Sequence, residues 1–440
     1  MLVPIVMDMT IQKKVFALFN NNDMLSTLTE AIRQGSEPFW LVGGCLRDLL
    51  LERPITDLDI ISSTDPTSFA KKWSSQIDGR WFWLDSERLQ SRVLLNDSIH
   101  VDFSPFRAET LLKDLELRDF TINSMALRIP VDDKSPLVDP LDGLNDLQKK
   151  QLRVSSAQSC SDDPLRMMKG IRHAITLDLK LVPETFNSIK ALAKRLPDVP
   201  GERIREELLQ ILLSEDPIRG IDLLYDTGLL DTLIESHAKV KNWSLVLDQL
   251  RSLSKRLIAL NHACETRQRE CGRTGGFPNK ALFLLVKLLE YYPPDNLPRL
   301  LHTTLRMSRR EQRIVEQLLS EKHNEKKMCD MFQHSMGHRQ TALIVERLEP
   351  FPIEKILYRG VCHDQFDISQ ALAIYENYLH EQRQGRIPDL LSGNELKEMI
   401  NPVNGPHLGA WQEKIKQAEI DGIISTRRDA EEWLKEQITD

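Results

Sequence analysis

At 440 residues the chain is too long for one compact core, so about two to four domains are expected. A formal net charge of −7 excludes a surface coated uniformly in base. The six cysteines (Cys45, Cys160, Cys264, Cys271, Cys329 and Cys362) form no C-x-x-C and no His cluster completes a zinc site, so they read as reduced thiols of a cytoplasmic protein.

The N-terminus shows no basic region followed by a long apolar core. No run approaches the length of a membrane span, so a soluble protein with no membrane partner is expected. From about Phe39 to Val154, short apolar runs alternate with turn signals and helical stretches. Phe39–Val42, Leu58–Ile61, Arg92–Leu95, Ile99–Phe103 and Ser124–Ile129 read as strands, which predicts an α/β or α+β domain.

The first strand runs into Gly43-Gly44, where the backbone can turn tightly and approach a ligand with no Cβ in the way. The helix predicted over Cys45–Leu51 would aim its free N–H groups above the glycines, a phosphate cradle to which Arg47 can add a fork of donors. Asp57 and Asp59 follow on one face of a strand, where two carboxylates repel unless a hard cation such as Mg²⁺ lies between them. Asp102, in I-H-V-D-F, is the candidate third acid, with Val101 and Phe103 turned to the core. Two Mg²⁺ ions on these acids would clamp the attacking and departing oxygens of a phosphoryl displacement. The bland alternatives are a plain glycine turn, a solvent-facing acid pair and an ordinary amphipathic strand.

From about Pro164 onward the apolar spacing is 3.6, as at Leu208, Ile211 and Leu212, and the rest of the chain reads as all-α. Breaks fall near Pro197–Gly201, Gly275–Pro278, Pro293–Pro298 and Pro350–Pro352. Between Arg251 and Val315, 13 Lys/Arg face 5 Asp/Glu, so this segment carries +8 and the remainder −15. A basic stripe on an acidic protein is the footprint of a nucleic-acid site, or else a solvated helical face.

L-V-G-G-C-L-R-D with D-L-D resembles the head of class II tRNA nucleotidyltransferases, the CCA-adding enzymes and bacterial poly(A) polymerases of the polymerase β-like superfamily. L-R-D-F-T-I-N-S-M-A (Leu117 to Ala126) is similar to the family's R-R-D-F-T-x-N-A motif, and D-D-P-L-R-M-M-K-G-I-R (Asp162 to Arg172) to its E-D-x-x-R motif. D-P-L-D-G-L-N-D-L from Asp139, E-R-I-R-E-E-L from Glu202 and, weakly, the C-terminal L-S-G-N-E-L, G-P-H-L-G and A-E-E-W-L also resemble it. The resemblance implies a polymerase β-like α/β (α+β) head over 1–157, then an all-α neck (158–220), body (221–345) and tail (346–440).

It also implies roles. Arg118 would meet the nucleotide's triphosphate and Asn123 its ribose, with Asp119 also among the nucleotide-binding residues. Asp163 and Arg166, at i and i+3, would copy a Watson–Crick edge: the acid accepts from the exocyclic amine of cytosine or adenine, and the guanidinium donates to the adjacent ring acceptor. Asp163 before Pro164 is equally a good helix cap. Lys169 and Arg172 could hold phosphates; Lys169 stands where many members have Arg, and Asp162 where the motif has Glu. Arg306, Arg309, Arg310 and Arg313 are the candidate tRNA contacts. The H-D pair His363-Asp364 has no His cluster around it, so no second hydrolytic activity is expected.

The expected reaction is attack of a tRNA 3′ hydroxyl on the α-phosphate of a nucleoside triphosphate, with pyrophosphate leaving. Only fifteen residues separate Asp102 from Arg118, and Glu109 to Leu117 reads as a helix. Members that add the terminal A carry a flexible loop there. CC addition from CTP is therefore expected, with a separate A-adding enzyme acting on the product. Complete CCA addition using CTP and ATP, poly(A) synthesis, and a catalytically silent RNA-binding protein are the alternatives.

Overall fold

A computed structural model describes residues 11–95, 99–132, 135–235, 240–271, 280–320, 343, 345–346, 348, 350–362, 389–400 and 405–439. The Gly275–Pro278 break, Cys329 and the His363-Asp364 pair lie outside the described residues. The chain forms two compact units: Met1–Ala238 with Pro294–Arg306, and Lys239–Pro293 with Met307–Asp440.

The first unit opens with α1 (Ile11–Asn20) and α2 (Asp23–Arg33). Asn22 caps α2 by accepting from the Met24 and Leu25 amides. Then come β1 (Phe39–Val42), α3 (Gly44–Leu50), β2 (Asp57–Ser62), α4 (Thr67–Gln76), β3 (Arg80–Asp85), β4 (Gln90–Leu94), β5 (His100–Pro105), α5 (Leu111–Glu116), β6 (Ala126–Ile129) and β7 (Leu137–Val138). The strands form one mixed sheet in the order β3-β4-β5-β2-β1-β6-β7, with β2 and β5 parallel and the other neighbours antiparallel. Strand alternation divides its faces. Leu58, Ile60, Val93, Val101 and Phe103 point into a core shared with α1, α2 and α4. Within that core, the fully buried Trp73 donates its indole N–H to Thr27 Oγ1 at 3.0 Å. On the opposite face, Val42, Ile61 and Ala126 are covered by Leu115 of α5. Asp57, Asp59 and Asp102 stand on that same face.

Five strands lie where the sequence reading puts them. β3 is an addition: R-W-F-W-L-D is apolar on both faces, so no alternation marks it. Within the helix expected over Glu109 to Leu117, Asp114 is wholly buried while Leu112 is exposed.

Next come α6 (Gly143–Gln148), β8 (Gln151–Leu152), α7 (Ser159–Asp162), α8 (Leu165–Thr176), β9 (Lys180–Leu181), α9 (Pro183–Leu192), α10 (Gly201–Leu213), α11 (Pro217–Asp226) and α12 (Leu229–Ile234). The Asp139 carboxylate accepts from the Gly143 and Leu144 amides at 2.8 and 2.9 Å, which explains the D-P-L-D-G turn. A Cβ at Gly143 would lie 2.1 Å from the Thr121 carbonyl oxygen, so only glycine fits there. The helical expectation after Pro164 needs one correction: Lys180–Leu181 pairs in parallel with Gln151–Leu152. A two-residue strand carries no periodicity by which to find it. Leu165, Met168, Ile171 and Ile175 form the buried face of α8, as their spacing predicts.

The second unit is helical among its described residues. Helix Trp243–Cys271 buries Val246, Leu250, Leu253 and Leu257, and helix Lys280–Tyr291 is buried along most of its length. Tyr358, on helix Pro352–Cys362, sets its ring against Phe283 and donates to Glu290 at 2.6 Å. A separate C-terminal core gathers Leu391, Leu396, Ile415, Ala418 and Leu434. No helix among the described residues is long and apolar enough to cross a membrane.

Candidate active site

The glycine turn is built for close approach. Gly43 has φ +80°, and a Cβ there would sit 2.8 Å from Asp59 Oδ2 and 3.3 Å from Arg118 Nη1. At Gly44 a Cβ would come within 3.1 Å of Arg47 Nη2. The sequence reading gives Arg47 a phosphate; the structure gives it two protein partners. Its guanidinium forks Asp48 (2.9 and 2.7 Å) and donates to Asn123 Oδ1 at 2.7 Å. Asn123 in turn donates to Asp119 Oδ1 at 2.9 Å. Arg47 is thereby buried beneath Asn123 and fixes which way that amide points. Under the turn, the Cys45 thiol is pushed up to about 12, by burial first and the Asp59 charge second, so it is an inert filler.

The acids meet through strand register. Asp59 lies directly opposite Asp102, and Asp57 opposite His100. Burial is the main reason the Asp59 carboxyl titrates above its ordinary range; Arg118 opposes the shift, and Asp102 and Asp57 add to it. Arg92 forks Asp102 from β4 (Nε to Oδ1 2.6 Å, Nη2 to Oδ2 2.8 Å). Asp57 abuts His100 Nε2 and accepts from Thr56 Oγ1 at 2.8 Å. With those partners in place, no group of three or more His, Cys, Asp or Glu among the described residues is arranged to hold a metal. The donors themselves suit a hard divalent ion: a buried carboxylate crowded by two like charges gains from a cation at the Asp57/Asp59 face.

Beside them, Arg118 and Asp114 form a buried pair, with Nε and Nη2 at 3.2 and 3.1 Å from Oδ2. Asp114 Oδ1 accepts from the Arg107 amide at 2.8 Å. The Arg107 guanidinium has its pKa lowered, chiefly by burial and then by repulsion from Arg118.

Asp163 sits between α7 and α8. Its Oδ1 caps α8 through the Leu165 amide at 3.1 Å, and Oδ2 meets Arg203 at 3.3 Å. Arg166 donates through Nη1 to the Arg118 carbonyl and Ser159 Oγ (both 3.0 Å), and through Nη2 to the Leu117 carbonyl at 2.9 Å. The cap and edge-reading roles for Asp163 are therefore compatible in place, and Arg166 is held by backbone. Arg172 points elsewhere, to Glu207 at 2.6 Å.

A cavity of about 920 Å³ unites most of these groups. Its wall includes Gly43, Gly44 and Asp59, then Arg118, Asp119 and Asn123, then Asp163, Arg166 and Lys169. Arg47, Asp57, Asp102 and Arg172 are not on that wall. Arg88, Arg107 and Arg203 are, and sequence reasoning did not single them out. Arg203 had a signal, since it lies in the E-R-I-R-E-E-L stretch. Arg107 had none beyond its place before the α5 helix. The wall is thus rich in guanidinium, as a triphosphate requires.

The candidate tRNA contacts fall in both units. Arg306 lies 3.5 Å from Glu202 in the first. In the second, Arg309, Arg310 and Arg313 are exposed on helix Arg309–Ser320. Arg310 also pairs with Glu354, and Arg310 and Arg313 lie over the Phe351 ring at 5.7 and 5.5 Å.

Comparison with known proteins places the chain in a family. Residues 39–153 match the Poly A polymerase head domain family, and residues 178–240 match the family described as the probable RNA and SrmB-binding site of polymerase A. A CC-adding tRNA nucleotidyltransferase of Geobacter sulfurreducens is 30% identical over 428 residues, spanning 94% of this chain and 95% of that protein. The chain belongs to the class II tRNA nucleotidyltransferase family. Another similar tRNA nucleotidyltransferase, an A-adding enzyme of Deinococcus radiodurans, is 28% identical and spans 90% of this chain and 94% of that protein. The fold is that of solved tRNA nucleotidyltransferases. A Thermotoga maritima CCA-adding enzyme complexed with tRNA aligns over 97% of this chain and 98% of its own, with TM-score 0.66 and 19% identity. A CCA-adding enzyme with CTP aligns over 98% and 100%, with TM-score 0.69 and 20% identity.

Proposed function

We propose that this tRNA nucleotidyltransferase adds cytidylates from CTP to the 3′ end of tRNA, releasing pyrophosphate, and stops after two. The Gly43-Gly44 turn and Arg118 receive the triphosphate, with Arg107 adding charge from the same wall. Asn123, held by Arg47 and Asp119, faces the ribose. Asp163 accepts from the cytosine amine and Arg166 donates to the ring acceptor beside it. Lys169 contributes charge to the wall of that cavity, and Arg172 supports α8 through Glu207. Asp57 and Asp59, with Asp102 across the strand, would hold divalent cations, read as two Mg²⁺, which polarise the attacking and leaving oxygens when bound. Positioning and electrostatics supply the catalysis.

The supporting observation for CC specificity is the connection between β5 and α5. It runs only from Phe106 to Thr110 and is tied at both ends. The Phe106 amide donates to the Ser62 carbonyl at 2.8 Å, Arg107 is bound to Asp114, and Thr110 caps α5. Arg166 is likewise anchored on three acceptors. A base-reading pair held this way suits one base, and nothing in that connection is free to re-aim it toward adenine. The similar CC-adding enzyme of Geobacter sulfurreducens points the same way. A separate A-adding enzyme would then finish the product.

In this reading the head (1–157) carries the chemistry, and the neck (158–220) presents the base-selecting pair. The body (221–345) and tail (346–440) hold tRNA, with Arg306, Arg309, Arg310 and Arg313 as contacts. The test is incorporation from radiolabelled CTP or ATP into a tRNA ending at the discriminator base and into an unrelated RNA. The proposal expects CTP addition to the tRNA alone. Long ATP tails on both RNAs would favour poly(A) synthesis, and no incorporation at all would refute an enzymatic role.

A further inference from the structure

In-line displacement fixes where the RNA primer must lie. The attacking 3′ oxygen enters opposite the leaving pyrophosphate. The triphosphate side of Asp59 is occupied by Gly43 and Gly44, at the β1–α3 turn, and by Arg118, in the segment after α5. The primer must therefore approach from the other side, across β5, β4 and β3.

Strand register shows what stands there. Asp59 lies opposite Asp102, Asp102 opposite Arg92, and Arg92 opposite Phe82. Directly paired residues share a face, so Phe82 of β3 stands on the carboxylate face, two strands beyond Asp102. At about 4.8 Å per strand that is roughly 10 Å, the length of two or three stacked nucleotides. Phe82 is a large apolar ring left 36% exposed at the edge of the sheet. Trp81 and Trp83 lie on the opposite face, with the Lys71 ammonium of α4 at 4.3 and 5.7 Å from their rings; Trp81 is the more covered of the two, and Trp83 is 37% exposed. Two arginines stand near this edge: Arg80 precedes Phe82 by two residues and is exposed, and Arg88 of the β3–β4 turn lines the nucleotide cavity. An exposed ring flanked by guanidinium groups, on the hairpin whose Arg88 and Gln90 line the cavity, has the chemistry of a single-stranded RNA platform.

We propose that Phe82 is the stacking platform for the 3′-terminal bases of the RNA primer, with Arg80 and Arg88 flanking its phosphates. The inference rests on the tRNA nucleotidyltransferase reading above. The test uses the full chain, a tRNA acceptor-stem minihelix and CTP. Phe82→Ala should raise KM for the minihelix about tenfold, within the roughly 5- to 160-fold range of a lost base stack, while KM for CTP and the melting temperature stay unchanged. Phe82→Trp should restore the parental value. Dissociation constants for a minihelix ending in a 3′-deoxynucleotide should move in the same order, without turnover. An unchanged minihelix KM in Phe82→Ala, or a Trp variant as impaired as the Ala variant, would overturn the proposal. So would a Phe82→Ala effect confined to dimerisation in light scattering, which would make the ring a protein contact. A parent enzyme that adds nothing to the minihelix would instead overturn the underlying functional reading.

Discussion

Arg92 grips Asp102 with a two-pronged bond, 2.6 Å from Nε to Oδ1 and 2.8 Å from Nη2 to Oδ2, directly across from Asp59 in the neighbouring strand. The guanidinium thus supplies positive charge to a face that carries three acids. Arg92→Ala should lower stability by about 1–2 kcal/mol, after discounting a charged hydrogen bond for partial solvent exposure. Added Mg²⁺ should recover part of that loss, because a bound cation replaces the missing charge. Thermal melts with and without 10 mM (an approximate, near-saturating dose) Mg²⁺ measure both effects. Equal losses in the two conditions would show that Asp102 takes no part in cation binding.

Asp57→Ala and Asp59→Ala should each reduce incorporation on the order of a thousandfold, since charge stabilisation by a held cation is worth several kcal/mol. Binding of tRNA should change little, because neither acid is among its assigned contacts. Single-turnover rates and filter binding on the same preparations separate the two quantities. Near-normal turnover in either variant would remove these acids from the mechanism.

Arg166 has its fork committed to the Leu117 and Arg118 carbonyls and Ser159. Arg166→Ala should therefore relax discrimination of CTP against UTP by roughly 1–3 kcal/mol, with a smaller effect on triphosphate affinity. Arg166→Lys should not rescue it, because a point charge cannot satisfy those separate acceptors. Competition between the two nucleotides for one primer provides the ratio.

His173 is buried on α8 with its ring edge-on to Phe120 at 5.6 Å. Burial first, then the nearby charges of Arg172, Arg47, Lys169 and Arg53, holds its pKa well below 6.5. The folded chain keeps this ring neutral while the unfolded chain protonates it near pH 6.5. Stability is then full above about pH 7 and falls as pH drops, by up to about 1.4 kcal/mol per pH unit from this group. Urea melts at pH 7.5, 6.5 and 5.5 (approximate set points) should show that slope, and His173→Asn should flatten it. An identical slope in the variant would assign the pH dependence elsewhere.

The motifs to which the chemistry is assigned were readable because they are local. Gly43-Gly44 at a strand end and Asp57/Asp59 at a spacing of two need only a few residues to be recognised. What escaped notice depends on burial and strand register, even where the partner is close in sequence. Nothing near Asp114 says that Arg118 and the Arg107 amide will bury it. Arg92 read only as part of a strand, and its fork on Asp102 follows from the register of β4 on β5. β3 was missed because Trp81 and Trp83 lie on one face and Phe82 on the other, so both faces are apolar. Arg47 was assigned to phosphate by its place in the motif; its burial against Asn123 emerges only when α3 and the Arg118–Asn123 segment meet.

The central claim is that Asp163 and Arg166 read one base and cannot be re-aimed, because residues 106–110 are too short and too firmly tied. The most direct measurement presents purified enzyme with a tRNA already ending in C-C, supplies ATP alone, and sizes the product at single-nucleotide resolution. The same enzyme with CTP and a tRNA ending at the discriminator base serves as the activity control. The account predicts two cytidylates in the control and no adenylate on the C-C end. Efficient addition of A to the C-C end would contradict it and establish a complete CCA-adding enzyme.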